Sequence, residues 1–216
     1  MDIKPATSTQ VMIADFDITD DGHFKGTINT AFRGHIAAYE RAVYGSDTTG
    51  KSRITYLKKK NTDWQIDALT PTNLTQPNEA LKENIKCTIA NTAQANGALL
   101  YVKPTIMSGW EVNPFKMEKR TYPVEFPYPT NDQYILNLTI PDGYKVEELP
   151  ASINMALPSD EARFIYTINV ADKMIRLTVR IQVNKLVIPA DDYDALKQFF
   201  SRVSAKLGEM IVLKKG

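Results

Sequence analysis

Residues 45–52 read Gly-Ser-Asp-Thr-Thr-Gly-Lys-Ser, the G-x-x-x-x-G-K-S spacing of a phosphate-cradling loop. In such a loop the glycines let backbone N–H groups close on the phosphates, the lysine neutralises them and the serine holds a magnesium ion. Gly45, Gly50, Lys51 and Ser52 are therefore candidate phosphate contacts. That chemistry requires a buried strand ending at the first glycine and a helix starting at Lys51. The preceding stretch, RGHIAAYERAVYG, instead spaces Ile36, Tyr39 and Val43 as a helix does, with Glu40 and Arg41 where a central strand would be apolar. No run of alternating strands and helices follows to build a parallel sheet. Asp172 in TINVAD, the nearest candidate for a second magnesium ligand, falls in a hairpin connection. A polar connector between two helices, with Lys51 in solvent, is the preferred reading, and nucleotide binding is the least favoured function.

Other reactive residues are sparse. Cys87 alternates with Ile85 and Ile89 in a strand pattern, which turns its thiol toward an apolar side. A lone cysteine excludes an internal disulfide and a cysteine-based zinc site. The two histidines, His23 at a turn and His35 near a helix start, lack regularly spaced ligands beside them, so no metal or other cofactor is expected. Asp17-x-Thr19-x-Asp21-Gly22 opens like a calcium loop, but Ile28 stands where that loop needs a bidentate glutamate, and a hairpin turn is expected instead. The 26 basic and 25 acidic residues leave a formal charge of +1, with no field to gather nucleic acid. The LKKKNTDW stretch, three lysines before Trp64, reads as a solvated helix end. No apolar run approaches the roughly eighteen residues of a membrane span.

What remains is a possible binding surface. Trp64, Trp110, Tyr122 and Tyr128 could form a sugar-stacking platform or an inter-module contact, as could Tyr101. Arg163, Arg176 and Arg180 could line a basic stripe on a sheet face. The Asn73-Leu-Thr75 and Asn137-Leu-Thr139 sequons matter only in a secreted eukaryotic protein.

The elements that must hold these residues are mostly strands. QVMIADFDI and HFKGTINTAF flank a turn at Asp21-Gly22, predicting a hairpin. Helices are predicted up to Gly45 and again over about 49–60, and WQIDAL, ENIKCTIAN and ALLYVKP return to strands. Prolines 114, 123, 127 and 129 mark an edge strand or an inter-domain connection. QYILNLTIP, ARFIYTINV and KMIRLTVRIQVNK then alternate as antiparallel strands with one buried and one wet face. In PADDYDALKQFFSRVSAKLG, Tyr193, Leu196, Phe200, Val203 and Leu207 form one helical stripe suited to cover a sheet. The expected fold is mainly β, α+β: antiparallel sandwich-like sheets with a few helices, one of them long and C-terminal. Residues 1–112 form a first part of hairpin, helices and strands, and residues 113–216 an antiparallel β domain with the terminal helix.

NPFKMEKRTYPVEFPYP, IPDGYKVEELP, VIPADDYDALKQFF and the terminal EMIVLKK, in that order, resemble the C-terminal region of bacterial transglutaminase-like superfamily proteins. DGHFKGTINTAFRGHIAAYERAV is similar, more weakly, to the segment that follows their catalytic core. In those proteins an N-terminal β domain and a papain-like Cys-His-Asp core precede a C-terminal domain of unknown function. The resemblance implies that the core lies upstream of residue 1. Both histidines here precede Cys87, the wrong order, so no catalytic residue carries over. The implied role is a non-catalytic accessory module, with the upstream core and β domain of the same parent chain as partners. The parent could be a protease or a cross-linking enzyme. MDIKPATSTQ has neither a basic leader nor an apolar h-region, so as written the chain reads as cytoplasmic. An origin in a longer exported polypeptide, implied by the resemblance, moves the expectation to the periplasm or cell surface. The alternative is a module binding cell-envelope glycan or peptide through its aromatic residues and open β face.

Overall fold

The computed structural model describes residues 6–19, 21–106 and 109–216. Along the chain come β1 (Ser8–Ile18), β2 (Phe24–Arg33), α1 (His35–Tyr44), α2 (Lys51–Lys60), β3 (Trp64–Thr72), β4 (Leu81–Ile89), β5 (Ala93–Asn96) and β6 (Leu99–Val102). They are followed by β7 (Val124–Glu125), β8 (Thr130–Thr139), β9 (Tyr144–Glu148), β10 (Ile153–Ala156), β11 (Ala162–Ala171), β12 (Met174–Val183), β13 (Val187–Ile188), α3 (Tyr193–Leu207) and β14 (Ile211–Lys215). The mainly β, antiparallel character and the C-terminal helix agree with the sequence pattern.

Eight strands form one sheet in the order β10-β11-β12-β8-β1-β2-β4-β3. The hairpin β1–β2 and the ribbon β11–β12 are its local units, closed by short turns. Gly22, at the first turn, has φ 80°, and a Cβ there would meet the Ala93 carbonyl oxygen at 2.5 Å. Glycine is needed there because β5 approaches the turn backbone directly, its Ala93 N–H donating to the Gly22 carbonyl.

One pairing is parallel: β1 runs beside β8 from Ser8↔Thr130 to Asp17↔Thr139. The sheet therefore runs unbroken across the division at residues 112 and 113. A second sheet, β5-β6-β14-β9, and a two-stranded β13-β7 pair complete the strands.

The inner face of the large sheet holds the core. Met12, Phe16, Phe24, Ile28, Leu136, Leu138, Phe164, Tyr166, Ile175 and Leu177 alternate along their strands as period two requires, all buried. α1 and α2 cover this face beside β1, β2 and β3. α3 covers its other end, with the Lys206 ammonium 5.5 Å from the Tyr166 ring centre. The stripe Tyr193, Leu196, Phe200, Val203 and Leu207 is buried as its spacing predicts.

The proline-rich stretch is a strap laid along α3. Its only strand is β7, because prolines supply no N–H to a ladder. Side-chain contacts fix it instead. The Asn113 amide donates to the Lys197 carbonyl (2.9 Å) and the Ser201 hydroxyl (2.8 Å), and the Tyr193 hydroxyl donates to the Met117 carbonyl (3.0 Å). Phe115 packs against Phe126, Tyr193 and Phe200.

Candidate functional site

The segment 45–52 joins two helices. Gly45 closes α1, and Gly50, at φ 82°, opens α2. The amides at the head of α2 already hold an anion from this same segment. Thr49 N–H donates to Asp47 Oδ1 (2.8 Å) and Ser52 N–H to Asp47 Oδ2 (2.7 Å), with the Thr49 hydroxyl adding a third bond at 2.5 Å. These bonds, the Ser52 amide first, hold the Asp47 carboxyl far below its usual range. A carboxylate thus sits where a phosphate-binding loop would seat its ligand, and Lys51 points to solvent. Among the described residues no group of three or more His, Cys, Asp or Glu is placed to hold a metal ion.

The four aromatic candidates are not gathered in one place. Trp64 is 6% exposed, in the core. Trp110 stacks on Phe200 at 4.6 Å between ring centres. Tyr128 stacks on His35 at 4.8 Å. Tyr122, 77% exposed, stands on the strap. The three arginines do share one surface: Arg163 on β11 and Arg176 and Arg180 on β12 all project from the outer face of the large sheet. Arg163 pairs with Asp160 at 2.8 Å and Arg180 donates to the Asn131 side chain at 2.8 Å, so two of the three are already engaged.

That outer face is the most extensive candidate surface. One row crosses six strands as Thr167, Thr178, Ile135, Ile13, Asn29 and Asn84. The next carries Ile165, Arg180, Gln133, Val11, Ala31 and Lys82. Where the two rows meet at β8, β1 and β2, Ile135, Ile13, Val11 and Ala31 form an apolar centre. Ile13 is 38% exposed and the others are half-buried. A depression of about 270 Å³ lies beside it, bordered by Val11, Ile13, Asn29 and Lys82. Asn, Thr, Arg and Lys side chains surround the centre. Some are cross-linked, as in Asn137 to Asp15 (2.7 Å) and Asn84 to Asn29 (2.7 Å). A solvated sheet face is ordinarily polar throughout, so β-branched side chains at its middle are the feature to explain.

On the inner side lies a buried ionic network that the sequence pattern did not single out as a site. Arg53 of α2 faces Glu83 of β4 through Nε (2.8 Å) and Nη2 (3.1 Å), and Glu40 of α1 through Nη1 (2.5 Å). The Tyr44 hydroxyl donates to Glu83 at 2.7 Å. Burial works against the Arg53 charge, but the two carboxylates outweigh it and hold the guanidinium protonated. Burial likewise raises the Glu40 carboxyl, opposed by Arg53. A signal was present: Glu83 stands in the apolar register Leu81, Ile85, Cys87, Ile89. Cys87 itself is buried, and burial pushes its thiol up to about 12, far from a reactive thiolate.

A family model described as "Domain of Unknown Function with solved-structure structure" (DUF3858) matches residues 98–213. No curated protein matches the chain. Among solved structures, the chain is similar to a protein from Parabacteroides distasonis named a "putative protease", at 15% identity and a TM-score of 0.47. That similarity covers 56% of this chain and 24% of the other, so the chain corresponds to a small part of that protein's length.

Proposed function

The chain belongs to the DUF3858 family, and from that premise we propose that it is a non-catalytic accessory module docking on a transglutaminase-like catalytic core of the same parent polypeptide. The observation that carries the proposal is the apolar centre Ile13, Ile135, Val11 and Ala31 on the outer face of the sheet. Burying such a patch gains about 25 cal/mol per Å² of apolar surface, and the surrounding amides, hydroxyls and arginines suit the polar rim of an interface. The order of the motifs over residues 113–215, which resembles the region following such a core, supplies the partner. The buried Cys87 supports a structural rather than nucleophilic part for this chain. The parent would be exported, placing the module in the periplasm or at the cell surface.

The test mixes this chain with the upstream core expressed separately and measures association calorimetrically. Ile13→Asp and Ile135→Asp should each weaken association by about tenfold or more, since truncating a central anchor costs upward of about 1–2 kcal/mol. Both variants should fold, because the positions face solvent. Association indifferent to both substitutions, or peptide hydrolysis or cross-linking by this chain alone, would sink the proposal.

A further inference from the structure

On the opposite, inner side of the sheet a cleft of about 500 Å³ opens between α2 and the extended residues 103–105 that follow β6. A second cavity of about 220 Å³ adjoins it, and both are lined by Lys60, Asn61, Lys103, Thr105 and Ile106. The shared lining makes one trough with a neck rather than two sites.

The neck carries positive charge and a hydroxyl without a partner. Lys103 and Thr105 are two residues apart in extended chain, and Lys60 and Asn61 end α2 across from them. Thr105 is 1% exposed, yet its Oγ1 has no hydrogen-bond partner among the described residues. A buried hydroxyl left unmet is costly, and a ligand acceptor in the neck would satisfy it. Asn61 follows α2, its N–H and side-chain amide both donating to the Leu57 carbonyl, and Lys58, Lys59 and Lys60 set positive charge against the negative end of that helix. Lys60 lies 4.5 Å from the Tyr56 ring centre, held beside an aromatic wall.

The rest of the trough limits the ligand. Glu40 and Glu111 also line the larger cavity, so it is not the uniformly basic groove that a nucleic acid needs. Phe32, Leu57, Tyr56 and Ile106 give it apolar walls, and Gln10 adds an amide able to pair with a peptide backbone. The Arg53 guanidinium at the floor is engaged by Glu40 and Glu83, so it shapes the cleft without offering a free charge.

We propose that this trough binds a peptide of a few residues, seating a single carboxylate at the neck between Lys60 and Lys103 with the Thr105 hydroxyl donating to it. The carboxylate can belong to a chain end or to an acidic side chain. The outer docking face is not involved, so Ile13→Asp leaves peptide binding unchanged and the two proposals fail separately.

The test titrates three peptides into isotope-labelled chain, following amide shifts by NMR: N-acetyl-trialanine, N-acetyl-Ala-Glu-Ala amide and N-acetyl-trialanine amide. At least one of the first two should bind saturably and shift the amides of Lys60, Asn61, Lys103 and Thr105. Which of them binds identifies the source of the carboxylate. The third peptide, lacking one, should bind about tenfold more weakly or less. The double variant Lys60→Ala/Lys103→Ala, on exposed side chains, should keep its melting temperature and lose about tenfold in affinity. Failure of both carboxylate peptides to bind by about 10 mM, equal binding of the neutral peptide, or affinity surviving the double substitution would each overturn the proposal.

Discussion

Replacing Asp132 by asparagine should stabilise this protein, and only above a definable pH. Asp132 lies on β8 in the inward register shared by Tyr134, Leu136 and Leu138, opposite Gln10 of β1 and Ile181 of β12. Its surroundings, including Met12, Tyr134 and Val179, are largely apolar. Burial pushes its carboxyl up from 3.8 to about 6, against the lowering effect of the Gln10 N–H it accepts from. A raised acid pKa means the folded state favours the neutral form. Below about pH 4 the group is protonated in both states and costs nothing. From there to about pH 6 the unfolded chain loses its proton first, and stability falls as pH rises. Above about pH 6 the full penalty stands, at most about 3 kcal/mol for a shift of about two units, less whatever solvent screens at this half-buried position. Asparagine keeps an oxygen for the Gln10 N–H and carries no charge. Urea denaturation of both proteins from about pH 4 to about pH 8 should show a gain for Asp132→Asn at the upper end, bounded by about 3 kcal/mol and vanishing at the lower. A gain independent of pH, or a loss of stability at neutral pH, would refute the reasoning.

The Arg53 network should behave as a unit. Arg53→Met strands the Glu83 and Glu40 carboxylates in the interior and should cost about 3–5 kcal/mol by denaturation. The double variant Arg53→Met/Glu83→Leu should cost less than the sum of its parts, and strict additivity would show that the contacts are not coupled. Asp47→Ala should lower the melting temperature at neutral pH by freeing the amides of Thr49 and Ser52. Because the Asp47 pKa is depressed, that contribution is complete above the unfolded value near 3.8 and fades as pH falls below it, so the two melting temperatures should converge in acid. Mg-ATP should shift neither; a rise that Lys51→Ala abolishes would restore the nucleotide reading.

Much of the architecture was legible because it depends on near neighbours. The alternation in QYILNLTIP and KMIRLTVRIQVNK follows from the two-residue period of a strand, and the α3 stripe from the 3.6-residue period of a helix. The connector reading of residues 45–52 rested on the helical spacing before Gly45, which the α1–α2 pair matches. Even the anomalies left marks: Glu83 and Asp132 are charges in phase with apolar rows, while Val11 and Ile13 widen the apolar run of β1 to both of its faces. Sequence could flag these residues without saying what each meets. Glu83 meets Arg53, thirty residues away, and Ile13 meets Ile135 in a different half of the chain.

By itself, then, the sequence determined the fold class, most of the elements, the inward faces of β4, β8 and β12 and the order of both histidines before Cys87. Those properties arise from periodicity, turn chemistry and residue order, all local or linear. The parallel β1–β8 pairing, the capture of the α2 amides by Asp47, the Arg53 network, the apolar centre of the outer face and the trough between Lys60 and Lys103 were decided only by tertiary structure. Each depends on which distant segments are brought together, and a backbone ladder or an ion pair carries no mark in either partner of which segment will complete it.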